Sequence, residues 1–275
     1  MLPNFLIIGA AKCGTTSLHR QLRSHPDVFM PGGRWKEPTF FSDHGPGRWS
    51  RGLDWYASLF SDRQGERAVG EASTSYTKAP HHAGVPDRIA RVLPDVKLIY
   101  MVRDPIDQIV SHYRQLVFFN GLRCSFQDAV RHEGVLIDTA RYATQLQPYR
   151  DRFSAARIRI VPFERYVRDP VREARRLCRF LGVDDGIDLP LDRPRNASAG
   201  RRLIRPRHSA RVYRAAQKVL PPPARRLFDR VLTRPLPQPD RSAPIFDAIR
   251  ERLEPEVRAL EAMTGLDLAD WRALR

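Results

Sequence analysis

The sequence predicts an α/β protein in which a central parallel sheet is covered by helices on both faces, and three observations support that expectation. Short strand-like runs recur at Phe5 to Ile8, Ala68 to Gly70, Lys97 to Val102 and Ile158 to Phe163. Stretches with apolar residues at helical spacing fill the gaps between them. The strands are apolar throughout rather than alternating, which is the pattern of a sheet buried on both faces.

The first strand opens directly into Gly9-Ala10-Ala11-Lys12-Cys13-Gly14-Thr15-Thr16-Ser17-Leu18, a turn of small residues followed by a helix. Gly9 and Gly14 can take backbone angles closed to other residues, and a helix start leaves N–H groups pointing at whatever occupies the turn. Lys12 adds a full positive charge. The spacing matches the nucleotide P-loop, G-x-x-x-x-G-K-[ST], at both glycines and at Thr16, but Thr15 takes the place of its lysine. The segment therefore reads as a cradle for phosphate or sulfate within a P-loop-like three-layer fold, and less well as an ATPase loop.

A helical pattern over Pro86 to Leu93 leads into the strand Lys97 to Val102. Asp104 then reads as the N-cap, and Pro105 as the first residue, of a helix reaching Phe119. Arg103 falls at the carboxyl edge of that strand, and Ser111 lies two turns into the helix. A guanidinium and a hydroxyl so placed suit one phosphate. Ligands of parallel sheets bind beyond the carboxyl ends of the strands, where Gly14, Glu71 and Arg103 all fall.

Helical spacing continues over Phe126 to His132, Asp138 to Phe153 and Pro170 to Leu181. Prolines and arginines then crowd the chain, so residues 183–240 read as a wrapping or lid segment with helical pattern only at Ala210 to Val219 and Ala224 to Leu232. Residues 243–275 read as a C-terminal helical tail, its helix from Ala243 to Met263 interrupted near Pro255. A length of 275 residues suits a single domain over the whole chain.

No apolar run approaches the roughly 18 residues of a membrane span, and the first strand leaves no room for a signal peptide, so a cytoplasmic location is expected. Cys13, Cys124 and Cys178 are odd in number and far apart, against both a disulfide framework and a zinc site. Cys13 reads as a small loop filler, the alternative being a thiol whose pKa is lowered by the helix N-terminus. No His/Asp/Glu cluster has ligand spacing, so no metal is expected. The formal charge of +16, mostly from arginine, implies anionic ligands. The arginines are dispersed and do not alternate with aromatics, which argues against specific nucleic-acid binding. Nothing in the sequence indicates an oligomeric state.

Lys12-Cys13-Gly14-Thr15-Thr16 together with Arg103-Asp104-Pro105 and Ser111 resembles the sulfotransferase superfamily, specifically the branch of heparan sulfate sulfotransferases and their soluble bacterial relatives. The resemblance extends through His25-Pro26-Asp27-Val28, Lys36-Glu37-Pro38 with Phe40-Phe41, Trp55-Tyr56, Gly70-Glu71-Ala72-Ser73 with Tyr76, and Asp169-Pro170, covering roughly residues 4–200. It implies transfer of a sulfuryl group from 3′-phosphoadenosine 5′-phosphosulfate (PAPS), leaving 3′-phosphoadenosine 5′-phosphate (PAP). The acceptor would be a hydroxyl or amine of a carbohydrate, lipid or small molecule.

By position, the resemblance implies that Lys12, Cys13, Gly14, Thr15, Thr16 and Ser17 hold the 5′-phosphosulfate. Arg103 and Ser111 would hold the 3′-phosphate, with Asn196, Gly200 and Arg201 closing over it. Glu37 takes the place of the general base, and Lys12 that of the cation stabilising the leaving phosphate. Glu71 is the rival carboxylate, either as base or as a group orienting Lys12 or an arginine. Trp35, Lys36, Glu71 and Tyr76 are the expected acceptor-side contacts, while Trp49, Trp55 and Tyr56 read as cleft or core. His112 reads as structural. Two departures stand out: Thr39 replaces the family's histidine before the phenylalanines, and Ala72 replaces a lysine found in some glycan-modifying relatives. Two other readings remain, a nucleotide kinase with a variant P-loop and a non-catalytic binder of polyanions with steep salt dependence.

Overall fold

The computed structural model describes residues 1–42, 49–190, 202–204 and 233–271. β1 (Phe5–Gly9), β2 (Val28–Phe29), β3 (Ala68–Ala72), β4 (Lys97–Val102) and β5 (Ile158–Pro162) form one all-parallel sheet in the order β2-β3-β1-β4-β5. β1 and β3 are buried at every position, as a sheet covered on both faces requires. A separate antiparallel pair joins β6 (Arg202–Ile204) to β7 (Thr233–Pro235).

The helices of the described residues are α1 (Thr15–Arg23), α2 (Gly52–Ser58), α3 (Val85–Val92), α4 (Pro105–Gln115), α5 (Phe126–His132), α6 (Gly134–Asp138), α7 (Tyr142–Arg150), α8 (Phe163–Arg168), α9 (Pro170–Leu181) and α10 (Ile245–Thr264). A π-helical turn, Leu116–Asn120, prolongs α4. The Asp104 carboxylate caps α4 by accepting from the N–H groups of Ile106 at 2.9 Å and Asp107 at 3.1 Å, with Pro105 at the first position. Asp169 caps α9 in the same way.

Two apolar clusters hold these layers together. The larger surrounds the sheet and includes the buried Trp271, whose Nε1 donates to Glu164 at 3.0 Å. The smaller joins α4, α5 and α6 to α10, where Phe126 stacks on Phe246 with centroids 5.1 Å apart.

The structure departs from the sequence expectation in several places. β2 has two residues, too few for a periodic signal, and the one-to-two-turn helices α2 and α8 were not foreseen. The helix expected over Asp138 to Phe153 is shorter, running as α7 only from Tyr142 to Arg150, and it follows an unexpected α6; between the two the Thr139 hydroxyl donates back to the Val135 carbonyl at 2.7 Å and Gln145 donates to the Asp138 carbonyl at 2.9 Å. Those bonds satisfy groups that a continuous helix would pair differently. Conversely, α10 runs straight through Pro255. Pro255 and Glu251, whose carbonyl loses its partner, are both exposed, so that carbonyl is not forced into an apolar interior.

Sheet packing tolerates little change at Gly70, where an added Cβ would lie 2.3 Å from the Phe5 ring. The Phe5 ring is fully buried and cannot swing into solvent. Gly70→Ala is expected to lower stability by about 1–3 kcal/mol through overpacking, read as a reduced urea midpoint at unchanged slope.

Candidate functional site

The carboxyl ends of β1, β3 and β4 open on a cavity of about 480 Å³. Its floor is the loop that follows β1. At Gly9, φ is 150° and a Cβ would fall 2.0 Å from the Thr77 hydroxyl, which itself donates to the Ile8 carbonyl at 3.1 Å. At Gly14, φ is 89° and a Cβ would meet the Phe163 ring at 2.7 Å. Only glycine fits either position. Between them Lys12 sits at φ 70°, a left-handed conformation of the kind that costs on the order of 1–3 kcal/mol and persists where surrounding contacts fix it. Gln108 of α4 supplies one such contact, donating to the Ala11 carbonyl at 3.1 Å. Lys12, Gly14 and the first helical residues Thr15, Thr16 and Ser17 all line the cavity.

Cys13 faces the other way. Its Sγ lies 3.6 Å from the Tyr142 hydroxyl, and complete burial pushes the thiol up to about 12, against the opposing Tyr142 hydrogen bond and the charges of Arg103 and Lys12. A thiol activated by the helix N-terminus is therefore excluded, and the side chain does not reach the cavity.

A second wall comes from α4, where Asp107, Val110, Ser111, Arg114 and Gln115 share one face. Arg103 precedes the helix, with its guanidinium 3.5 Å from both the Lys12 carbonyl and the Asp107 carboxylate and 4.9 Å over the Phe163 ring. Its Nε is buried and unpartnered. A buried cationic donor without a partner favours an anion in the adjoining space. Asp107 also pairs with Arg241, a further lining residue. His112 lies outside the cavity: burial, reinforced by the charges of Lys78 and Lys12, pushes its imidazole down to about 3, so it is neutral.

The third wall carries the carboxylate. Glu37 accepts from the Lys36 ammonium at 2.9 Å on one oxygen and from the Thr74 hydroxyl at 3.1 Å on the other. Lys36 also donates to the Thr16 hydroxyl at 2.7 Å, tying this wall to the anion loop. Glu37 is thus ion-paired and still faces the cavity. Lys78 enters beside it. Burial lowers the pKa of the Lys78 amine, and the nearby Glu37 charge opposes that shift.

Other expected acceptor contacts lie elsewhere. Glu71 is fully buried and receives hydroxyl bonds from Tyr56, Ser73 and Tyr76, not from Lys12 or an arginine. Tyr76 is buried with it. Trp35 packs edge-on against Trp55 at 5.2 Å outside the cavity lining, while Trp49 and Tyr56 pack on Phe40. Asn196, Gly200 and Arg201 lie outside the described residues.

Sequence reasoning missed Thr74, Lys78, Asp107, Arg114 and Arg241 as lining residues. Asp107 and Arg114 were accessible, being one turn either side of Ser111 on the same helical stripe. Lys78 follows the carboxyl end of β3 but is reached through a 3₁₀ turn, Thr74–Thr77, whose period gives no sequence signal. Among the described residues no group of His, Cys, Asp or Glu is arranged to hold a metal, and no helix is long and apolar enough to cross a membrane.

Comparison with known proteins places this geometry among relatives. Residues 49–186 match the model of the sulfotransferase family. Heparan sulfate glucosamine 3-O-sulfotransferase 3B1 of Mus musculus is 34% identical over 191 residues, covering 66% of this chain and 46% of that protein. Heparan sulfate glucosamine 3-O-sulfotransferase 6 of Homo sapiens is 35% identical over 189 residues, covering 66% and 52%. The chain thus spans about half the length of these curated relatives. The crystal structure of a sulfotransferase from Alicyclobacillus acidocaldarius superposes with a TM-score of 0.72 at 30% identity, over 99% of both chains.

The buried Cys13 should resist alkylation by iodoacetamide at pH 8 in the native protein, while the half-buried Cys124 reacts. Mass spectrometry before and after denaturation reads this directly; rapid native labelling of Cys13 would contradict its placement.

Proposed function

The chain belongs to the sulfotransferase family, and we propose that it transfers the sulfuryl group of PAPS to a hydroxyl of a glycan acceptor. The observation that carries the reading is the meeting of Lys12, Glu37, Arg103 and Ser111 on one cavity. The volume, about 480 Å³, is that of an ordinary small-ligand site. The loop donors and the unpartnered Arg103 Nε suit a donor with anionic groups at both ends. The choice of a sugar hydroxyl rests on the names of the 3-O-sulfotransferase relatives.

In the proposed reaction the acceptor oxygen attacks sulfur in line with the bond to phosphate. Glu37 takes the acceptor's proton as the new S–O bond forms, a contribution worth about 10²–10⁴ in rate. The bond from sulfur to the bridging oxygen breaks, and its electron pair leaves with PAP. Lys12 and the N–H groups opening α1 stabilise the charge that collects on the leaving phosphate. Arg103 and Ser111 hold the 3′-phosphate and so fix the donor's register. Lys78, which lines the same cavity and feels the Glu37 charge, adds a cation for the transferring group. It reaches the cavity from a different backbone position than Ala72, which is buried on β3.

Incubation with labelled PAPS and a panel of sugar acceptors tests the reading. Transfer that needs no magnesium and yields PAP is expected; magnesium-dependent transfer from ATP would replace the reading with a kinase. Binding that is indifferent to PAP and falls steeply with salt would replace it with a polyanion binder.

Glu37→Gln is expected to lower kcat by about 10²–10⁴-fold while PAP affinity by calorimetry stays unchanged. Arg103→Ala should do the reverse, weakening PAP by about tenfold or more through loss of a charge-assisted contact. Loss of PAP binding in the Glu37 variant would reassign that residue to the donor.

Lys78→Met should lower kcat with little change in PAP affinity, and Lys78→Arg should recover part of the rate. An unaltered kcat in the methionine variant would remove Lys78 from the reaction.

A further inference from the structure

The loop bearing Glu37 is held from below by a buried carboxylate that the proposed reaction does not use. Glu71 projects from β3 and is fully buried. Its Oε2 accepts from the Ser73 hydroxyl at 2.8 Å, and its Oε1 from the hydroxyls of Tyr76 at 2.5 Å and Tyr56 at 3.3 Å. Two of these hydroxyls also face the Glu37 loop. Ser73 Oγ accepts the Thr39 N–H at 2.9 Å, and the Tyr76 hydroxyl accepts the Phe41 N–H at 3.4 Å.

The direction of these bonds follows from proton count. A hydroxyl has one proton to donate. Ser73 and Tyr76 give theirs to Glu71, which leaves only lone pairs turned to the loop, and the loop presents two N–H groups there. Thr39 needs such a hold, since its φ of 58° is an outlier for a β-branched residue and persists only where neighbours fix it. It lies two residues from Glu37.

We propose that Glu71 is the positioning residue for Glu37, orienting the Ser73 and Tyr76 hydroxyls so that they anchor the backbone of Thr39 and Phe41. The inference rests on the reading of Glu37 as the base, but the anchoring itself is measurable without substrate.

Ionisation of Glu71 matters to this arrangement, because only the carboxylate accepts from all three hydroxyls. Burial pushes its carboxyl up to about 7; the bonds from Tyr76, Ser73 and Tyr56 lower it, and the Glu37 charge adds to the rise. The titratable groups around it are Tyr56 of α2, Tyr76 of the turn after β3, Tyr149 of α7 and Glu37 of the loop. The neighbouring strand β1 presents only apolar side chains, Phe5 to Ile8. Between the ordinary carboxylate range and pH 7 the folded chain keeps a proton that the unfolded chain has lost. Glu71 therefore lowers stability as pH rises through that window. Loop order should rise over the same window.

Amide hydrogen exchange of the full chain tests the proposal, with Glu71→Gln, Ser73→Ala, Tyr76→Phe and Tyr56→Phe beside the wild type. In the wild type, protection of Thr39 and Phe41 should increase from pH 6 to pH 8 while α4 stays constant. Glu71→Gln should remove that pH dependence and expose both amides. Ser73→Ala should expose Thr39 alone, and Tyr76→Phe should expose Phe41 alone. Tyr56→Phe removes a donor to the carboxylate but no loop contact, so it should move the transition to higher pH and leave the alkaline plateau intact.

In activity, Glu71→Gln should lower kcat by up to about 10²-fold, as a displaced catalytic group does, with PAP affinity unchanged. Protection and kcat that survive both Glu71→Gln and Ser73→Ala would overturn the proposal. If Glu71→Gln fails to fold, the two residue-selective hydroxyl variants decide, and a uniform loss of protection in them would also overturn it. Selective exposure in a chain that transfers no sulfuryl group would overturn the functional reading and support the loop assignment.

Discussion

The site depends on the contact of Thr77 with the end of β1. Its hydroxyl donates to the Ile8 carbonyl at 3.1 Å, directly above a Gly9 that has no room for a side chain. The Tyr149 hydroxyl fixes the same turn from α7 by donating to the Tyr76 carbonyl at 2.7 Å. Once the turn Thr74–Thr77 is locked onto the sheet, its neighbours are aimed as well. Thr74 reaches Glu37, Tyr76 reaches Glu71, and Lys78 enters the cavity. A single short turn therefore sets the anion loop against the carboxylate, and sheet register is passed on as site geometry.

Charge in the cavity is deliberately out of balance. Lys12, Lys78, Arg103, Arg114 and Arg241 line it, against Glu37 and Asp107. Asp107 is shared by two arginines, and Glu37 is paired with Lys36. Two like charges about 4 Å apart repel by roughly 4 kcal/mol at the effective dielectric of a protein surface. Packing them together opposes stability in the free protein, and an anion relieves it. The lowered pKa of Lys78 has a different origin, burial, which disfavours its charged form and is opposed by the nearby Glu37 charge.

The sequence made the sheet legible because β1 and β4 are nearly unbroken apolar runs, and the anion loop and the Asp104–Pro105 helix start because each has its own residue chemistry. Glu37 was reached only through resemblance; on local grounds its neighbour Lys36 favoured a plain ion pair, and the structure shows that pair. Glu71 was misplaced because a carboxylate at a strand end looks alike whether it faces a ligand or three hydroxyls. Only the packing of α2 and the turn after β3 decides, and both are contacts distant in sequence or without period. Pro255 misled for a related reason: its cost depends on whether Glu251 faces water, which the pattern of one helix does not reveal.

The net charge of +16 acquires a narrower meaning from the structure. Away from the cavity many arginines are held by nearby carboxylates, among them Arg67 by Asp27, Arg152 by Asp87, Arg157 by Asp95 and Arg179 by Asp185. Such exposed pairs add little stability, on the order of 0–1 kcal/mol each, but they break up the positive surface. With a Debye length of about 8 Å at physiological salt, a dispersed excess acts on a passing polyanion only at close range. In the cavity, low-dielectric walls screen less, and Arg103 keeps a buried donor unpartnered. On the proposed reading, the excess charge draws an anionic donor toward the chain, while its selection falls to the loop, the α4 face and the Glu37 wall.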